Sequence, residues 1–148
     1  MRSLFIFAII SLFAISCNKK NKYPNVPKLI FSKLSHGSVQ AGGNETIVIS
    51  FRFEDGDGNI GFGTENLFIR DNRDTLWTPY IIPDIPEKFS PDNGLAGIMT
   101  IDYEAAFLLL RSDAAHTESD TLTWDIYMKD EAGNVSNTIT TTPLILTK

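Results

Sequence analysis

Two stretches of this chain alternate so regularly between apolar and polar residues that they fix the local conformation. In Glu45–Glu54 (ETIVISFRFE), Ile47, Ile49, Phe51 and Phe53 fall on one side and Val48, Ser50, Arg52 and Glu54 on the other. Thr121–Asp130 (TLTWDIYMKD) repeats the pattern, with Leu122, Trp124, Ile126 and Met128 set against Thr123, Asp125, Tyr127 and Lys129. A two-residue period is that of a strand with one face in a core and one in solvent. Weaker strands read at Leu29–Ser35, Asn66–Asp71, Thr75–Ile82, Gly97–Tyr103 and Asn137–Thr147, divided by Gly, Asn, Asp and Pro clusters. That spacing belongs to an all-β antiparallel sandwich, and about seven strands suffice for its two sheets. Glu104–Arg111 (EAAFLLLR) is a continuous apolar run without a period, and it is expected to form a short helix.

The N-terminus follows a different grammar. Arg2 precedes the apolar run LFIFAIISLFAI, which stops at Ser16 and gives way to Asn-Lys-Lys-Asn-Lys after Cys17. A spanning helix needs about 20 apolar residues, so this shorter run reads as a secretion signal over residues 1–16. The segment AISC (Ala14–Cys17) resembles the lipobox of bacterial lipoproteins, with Ala14 where leucine is favoured. The resemblance implies that Cys17 is acylated with palmitate-type chains and becomes the first residue of the mature protein. At roughly 0.8 kcal/mol per buried CH₂, several chains anchor a protein durably where one is marginal. Cys17 is also the one cysteine of the 148 residues, so no internal disulfide is available to the body of the protein. Asn18 differs from the aspartate that retains such lipoproteins in the inner membrane, which implies an outer-membrane location. The basic residues after Cys17, in place of the acidic cluster of surface-exported lipoproteins, imply the periplasmic face.

Residues 17–27 are polar and carry Pro24 and Pro27, the composition of an extended tether, and the folded domain is expected over 28–148. Charge divides the same way. Lys19, Lys20, Lys22, Lys28 and Lys33 come without an acid among them, whereas the chain from Leu34 onward holds seven basic and 18 acidic residues, a balance of −11. An acidic folded part is the wrong sign for a nucleic-acid partner. The basic segment suits either contact with anionic lipid head groups or a solvated spacer.

Three features of the body bear on function. EDGDGNIG (Glu54–Gly61) places Asp55, Asp57 and Asn59 at alternate positions, with Gly56 and Gly58 leaving the backbone free to turn their oxygens together. Hard cations such as Ca²⁺ take six to eight such oxygens. The match to an EF-hand loop stops halfway, because Ile60 stands where its glycine belongs and Asn66 where its glutamate does. DEAGN (Asp130–Asn134) reads by itself as a tight hairpin turn. Thr78–Gly94 contains Pro79, Pro83, Pro86 and Pro91, too many for a central strand. It reads as a long loop or edge excursion, and Tyr80 and Phe89 within it, with Trp77 just before it, either offer contact area to a partner or fold back over the sandwich.

Taken together, FRFEDGDGNIG (Phe51–Gly61) and DEAGNVSN (Asp130–Asn137) resemble the early and late motifs of immunoglobulin-like domains in small Bacteroidetes lipoproteins. The resemblance implies an immunoglobulin-like sandwich and an envelope location, and supplies no assignment of activity. In that fold the loops after the second and sixth strands emerge at one end. Asp55, Asp57, Asn59, Asp130 and Glu131 would then be neighbours, either sharing one Ca²⁺ or serving as structural turns alone. Because Lys28 enters the first strand, the second runs back towards the tether and sets these turns at the membrane-near end.

The residue inventory does not favour catalysis. His36 and His116 lie in polar stretches, the one thiol is assigned to lipid, and Ser35–His36 or His116 with Asp113 are chance-level neighbours. The expected function is therefore a membrane-anchored, non-catalytic module of the cell envelope that binds a protein or glycan. An accessory subunit of an envelope complex is the second reading, and a β-sandwich hydrolase the third.

Overall fold

A computed structural model describes residues 22–86, 89, 94–113, 115–116 and 118–148. The expected signal segment, residues 1–16, and Cys17 lie outside the described residues. The described residues form ten strands: β1 (Lys28–Leu34), β2 (Ser38–Gln40), β3 (Thr46–Asp55), β4 (Glu65–Asp71), β5 (Thr78–Ile81), β6 (Leu95–Glu104), β7 (Ser119–Leu122), β8 (Trp124–Met128), β9 (Ile139–Thr140) and β10 (Leu144–Thr147). One sheet has the order β1-β3-β6 and another β5-β4-β8-β9, while β2-β10-β7 forms a third set. β7 continues into β8 across the single residue Thr123, and β9 into β10 across residues 141–143, so the second and third sets follow one another along the same two strands.

This is the immunoglobulin-like sandwich expected from the sequence. Its seven strands are all there, with the first, sixth and seventh each broken in two. The first strand switches sheets: β1 pairs antiparallel with β3, and after Ser35–Gly37 β2 runs parallel to β10. The last strand breaks near Pro143, whose missing N–H interrupts a ladder. The sixth breaks where Trp124 N–H bonds to the Thr141 hydroxyl.

Alternation placed the core correctly. Ile47, Ile49, Phe51 and Phe53 from β3 meet Leu122, Trp124, Ile126 and Met128 between the layers, and all are buried. The run after β6 departs from the expected helix. Ala105–Phe107 makes a single 3₁₀ turn, held by Ala105 N–H to the Glu45 carbonyl at 2.9 Å, and it buries Ala105 while leaving Phe107 exposed. The strand expected from Thr75 begins at Thr78 instead, because Asp74 Oδ1 accepts the N–H groups of Thr75 and Leu76 and turns the chain there. β5 carries Pro79 as an edge strand, the position in a sheet that tolerates proline. No helix among the described residues is long and apolar enough to cross a membrane.

Candidate metal centre

β3 ends at Asp55, directly opposite Leu95 at the start of β6, and β8 leads through Lys129 to Asp130 at the same end of the sandwich. The two turns meet there through main chain, with Glu131 N–H donating to the Asn59 carbonyl at 3.1 Å. Carboxylate oxygens of Asp55, Asp57 and Asp130 come within 4.8 Å of one another. Asp55 and Asp130 are buried, whereas Asp57 is exposed, so the group has a dry floor and a wet mouth.

The hydrogen bonding within this group is uneven. Asp130 is satisfied: Asn134 donates its main-chain N–H to Oδ1 and its side-chain amide to Oδ2, both at 2.7 Å. Asp55 is half satisfied, since Oδ2 accepts Asn59 N–H at 3.0 Å while Oδ1 is buried with no donor. Asn59 Oδ1 is likewise buried without a donor. Two orphaned acceptors in one turn beside two further carboxylates form a region that lacks positive charge, and each would cost on the order of 1–3 kcal/mol if left so. Burial, then the charge on Asp57, pushes the Asp55 carboxyl up to about 7; Asn59 N–H opposes this and Asp130 adds to it.

The surrounding chain holds the turn in place. Gly58 takes φ +71°, a conformation that suits glycine. Gly56 permits close approach of the segment before β1: its N–H donates to the Pro24 carbonyl at 2.7 Å, and a Cβ there would lie 2.4 Å from the Tyr23 carbonyl oxygen. The first acidic turn therefore sits against residues 23–25, where the chain approaches β1. Ile60 is fully buried beneath the turn. Asn66, also fully buried, donates its amide to the Ile60 carbonyl, accepts Ile82 N–H at 2.9 Å, and receives Lys129 N–H on its own carbonyl at 2.8 Å. It ties the first acidic turn, the end of β5 and the approach to Asp130 into one unit. Sequence reasoning passed over Asn66 as a strand residue and Asn134 as a turn residue. An asparagine inside an otherwise apolar strand start was the one available signal.

Of the five residues expected at this site, Asp55, Asp57 and Asp130 converge, Asn59 supplies an orphaned oxygen, and Glu131 is exposed and contributes its main-chain N–H. Glu54, next to Asp55, pairs with Arg52 at 3.0 Å. The three aromatic residues expected at a partner surface are not gathered. Trp77 packs edge-on against Tyr127, with the Arg70 guanidinium over its ring. Tyr80 packs against the core, and Phe89 is exposed. Ser35 Oγ lies 2.7 Å from His36 Nδ1, but the hydroxyl also accepts Val48 N–H and serves the sheet switch. No protein-family model matches this chain, and no curated protein matches it.

Proposed function

We propose that this chain is a lipid-anchored, non-catalytic interaction module of the bacterial cell envelope, whose sandwich is braced at its tether end by a Ca²⁺ ion. The observation that carries the cation reading is Asp55: a fully buried carboxylate with one oxygen lacking any donor, in a group with Asp57 and Asp130. Asp55 Oδ1, Asn59 Oδ1 and single oxygens of Asp57 and Asp130 would hold the ion, and the exposed side at Asp57 leaves room for water to complete the six to eight ligands calcium takes. A divalent charge there removes the repulsion among the carboxylates and the need to protonate Asp55.

The anchor reading rests on the signal segment, AISC and Cys17. Its connection to the metal is the Pro24–Gly56 hydrogen bond, through which an ordered turn fixes the direction in which the domain leaves its tether. The outer membrane, on its periplasmic face, follows from Asn18 and the basic residues after Cys17. Calorimetric titration of the chelator-stripped full chain with Ca²⁺ tests the site. One binding event is expected, with a stability gain of about 2.7 kcal/mol at a hundredfold excess over Kd. Absence of both heat and a melting shift at millimolar Ca²⁺ overturns it.

A further inference from the structure

We propose that the open side of the sandwich, between β6 and β5, is a groove for an extended segment of a partner protein, which adds to β6 as a strand and alternates apolar with basic side chains. The proposal rests on the interaction-module reading and names the partner's chemistry.

β6 is ten residues long and ladders with β3 along its whole length, from Leu95 opposite Asp55 to Glu104 opposite Thr46. Among the described residues nothing pairs with its other edge. Alternate N–H and C=O groups of an antiparallel edge point outward, ready for another strand. The core is also incomplete along this side. Met99 and Tyr103 project inward from β6 yet remain partly exposed, and so does Tyr80 across the gap on β5. A strand laid beside β6 would send every second side chain into that gap and close the core, as in other cases of strand addition.

The gap is a line of cavities rather than a crevice. One of about 330 Å³ lies between Ile81 and Pro83 on the β5 side and Met99 and Thr100 on β6. The next, about 200 Å³, lies at Asp102 and Glu104, and the last, about 340 Å³, runs past Phe107 to Trp124 and Arg73. Tyr80 borders all three, so they follow one another along β6. Met99–Glu104 spans about 20 Å of extended chain. Trp124, buried in the core, forms part of the floor of the last cavity.

The charge on the edge selects the partner. The outward residues at the distal half of β6 are Thr100, Asp102 and Glu104, all exposed. Asp102 has no ion pair among the described residues, and Glu104 accepts only the Thr46 hydroxyl. Residues on a neighbouring strand would lie directly opposite them, where opposite charges stabilise and like charges do not. A second copy of this chain would bring the same carboxylates and another acidic domain, of balance −9 over residues 28–148, to the edge, which argues against self-pairing. A segment with Lys or Arg outward and apolar residues inward matches both faces.

The test is an amide-resolved NMR titration of the full chain, in non-ionic detergent, with an alternating lysine–valine nonapeptide. Saturable shifts and slowed exchange are expected at Ile98–Glu104. Two further peptides carry N-methyl groups on all the valines or on all the lysines. Strand addition uses one alternate set of N–H groups, so one version loses binding and the other keeps it. Asp102→Lys with Glu104→Lys should weaken the parent peptide about tenfold. Equal binding by all three peptides would reduce the effect to bulk charge and overturn the proposal. So would the absence of shifts in β6, or sedimentation showing self-association through this edge. The Ca²⁺ melting shift, measured on the same samples, reports folding and the metal site separately: a retained shift with no β6 response removes the groove and leaves the cation reading standing.

Discussion

Replacing Asp55 with asparagine should make the metal-free protein more stable at neutral pH while abolishing its response to calcium. Asp55 is fully buried and its carboxyl is pushed from the ordinary 3.8 up to about 7, by burial first and then by Asp57. Because the native value lies above the unfolded one, the folded state holds its proton more tightly. The stability contributed by the protonated form is complete below about pH 4 and is lost as pH rises to about 7. Three units correspond to about 4 kcal/mol at about 1.4 kcal/mol each. Asparagine removes that penalty and keeps an oxygen for Asn59 N–H, while the weaker neutral hydrogen bond gives back about 1 kcal/mol. Asp55→Asn should therefore exceed the wild type by about 2–3 kcal/mol near pH 8 in chelator, with the advantage vanishing or reversing near pH 4. At a hundredfold excess of Ca²⁺ over Kd the gap near pH 8 closes, since only the wild type gains the ligand's contribution of about 2.7 kcal/mol. Urea melts at both pH values, with chelator and with Ca²⁺, measure all four states. A variant that is less stable than the wild type near pH 8 in chelator would refute the reasoning, as would one with an undiminished Ca²⁺ shift.

Asp120, at the other end of the sandwich, should behave in the opposite sense. Burial raises its carboxyl, but hydrogen bonds from Arg111 and Arg73 outweigh burial and hold it well below the carboxylate range. Its contribution is therefore present above the unfolded value near 4 and is lost in acid, so Asp120→Asn should cost about 1.5–3 kcal/mol near pH 7 and progressively less below pH 4, read from chemical denaturation. Cys17→Ala should release the protein from the membrane fraction and leave its precursor unlipidated, as shown by fractionation and acyl labelling; a variant that still pelleted with membranes and was processed normally would remove the anchor.

The sandwich was legible because its two central strands obey the period of two almost without exception. Leu122, Trp124, Ile126 and Met128 could be assigned inward before any coordinate, and all four are buried. What sequence could not show was where strands break. β7 and β8 read as one run because Thr123 fits the alternation, and the interruption comes from the Thr141 hydroxyl, 17 residues away, bonding to Trp124 N–H. The helix expected from Glu104 failed for a related reason: an apolar run without period is decided by what it packs on, and here Gly42 N–H and the Glu45 carbonyl hold it to a single turn. At the site, the spacing of Asp55, Asp57 and Asn59 was visible, and the convergence with Asp130 followed from the fold. The fastening by Asn66 was not visible, since an asparagine at the start of a strand looks the same in sequence whether it is buried and braces a turn or faces solvent.

The two ends of the domain divide the work in a way that connects the metal site to the open edge. Asp55 closes β3, and its main-chain carbonyl lies against Gly94, the residue before β6 begins. β3 is also the strand on which β6 is laid, residue for residue. Any disorder in the acidic turn is therefore disorder at the point where β6 starts, and an edge that must accept a foreign strand has to be straight and held before the strand arrives, because the ordering it lacks is subtracted from the affinity. A cation at Asp55 would fix the root of β6 and residues 23–25 together, leaving the line of cavities beside Tyr80 presented at a constant angle to the chain that enters the domain. Calcium should then tighten strand addition through β6 without touching the peptide, so peptide affinity measured with and without Ca²⁺ links the two sites in one thermodynamic cycle.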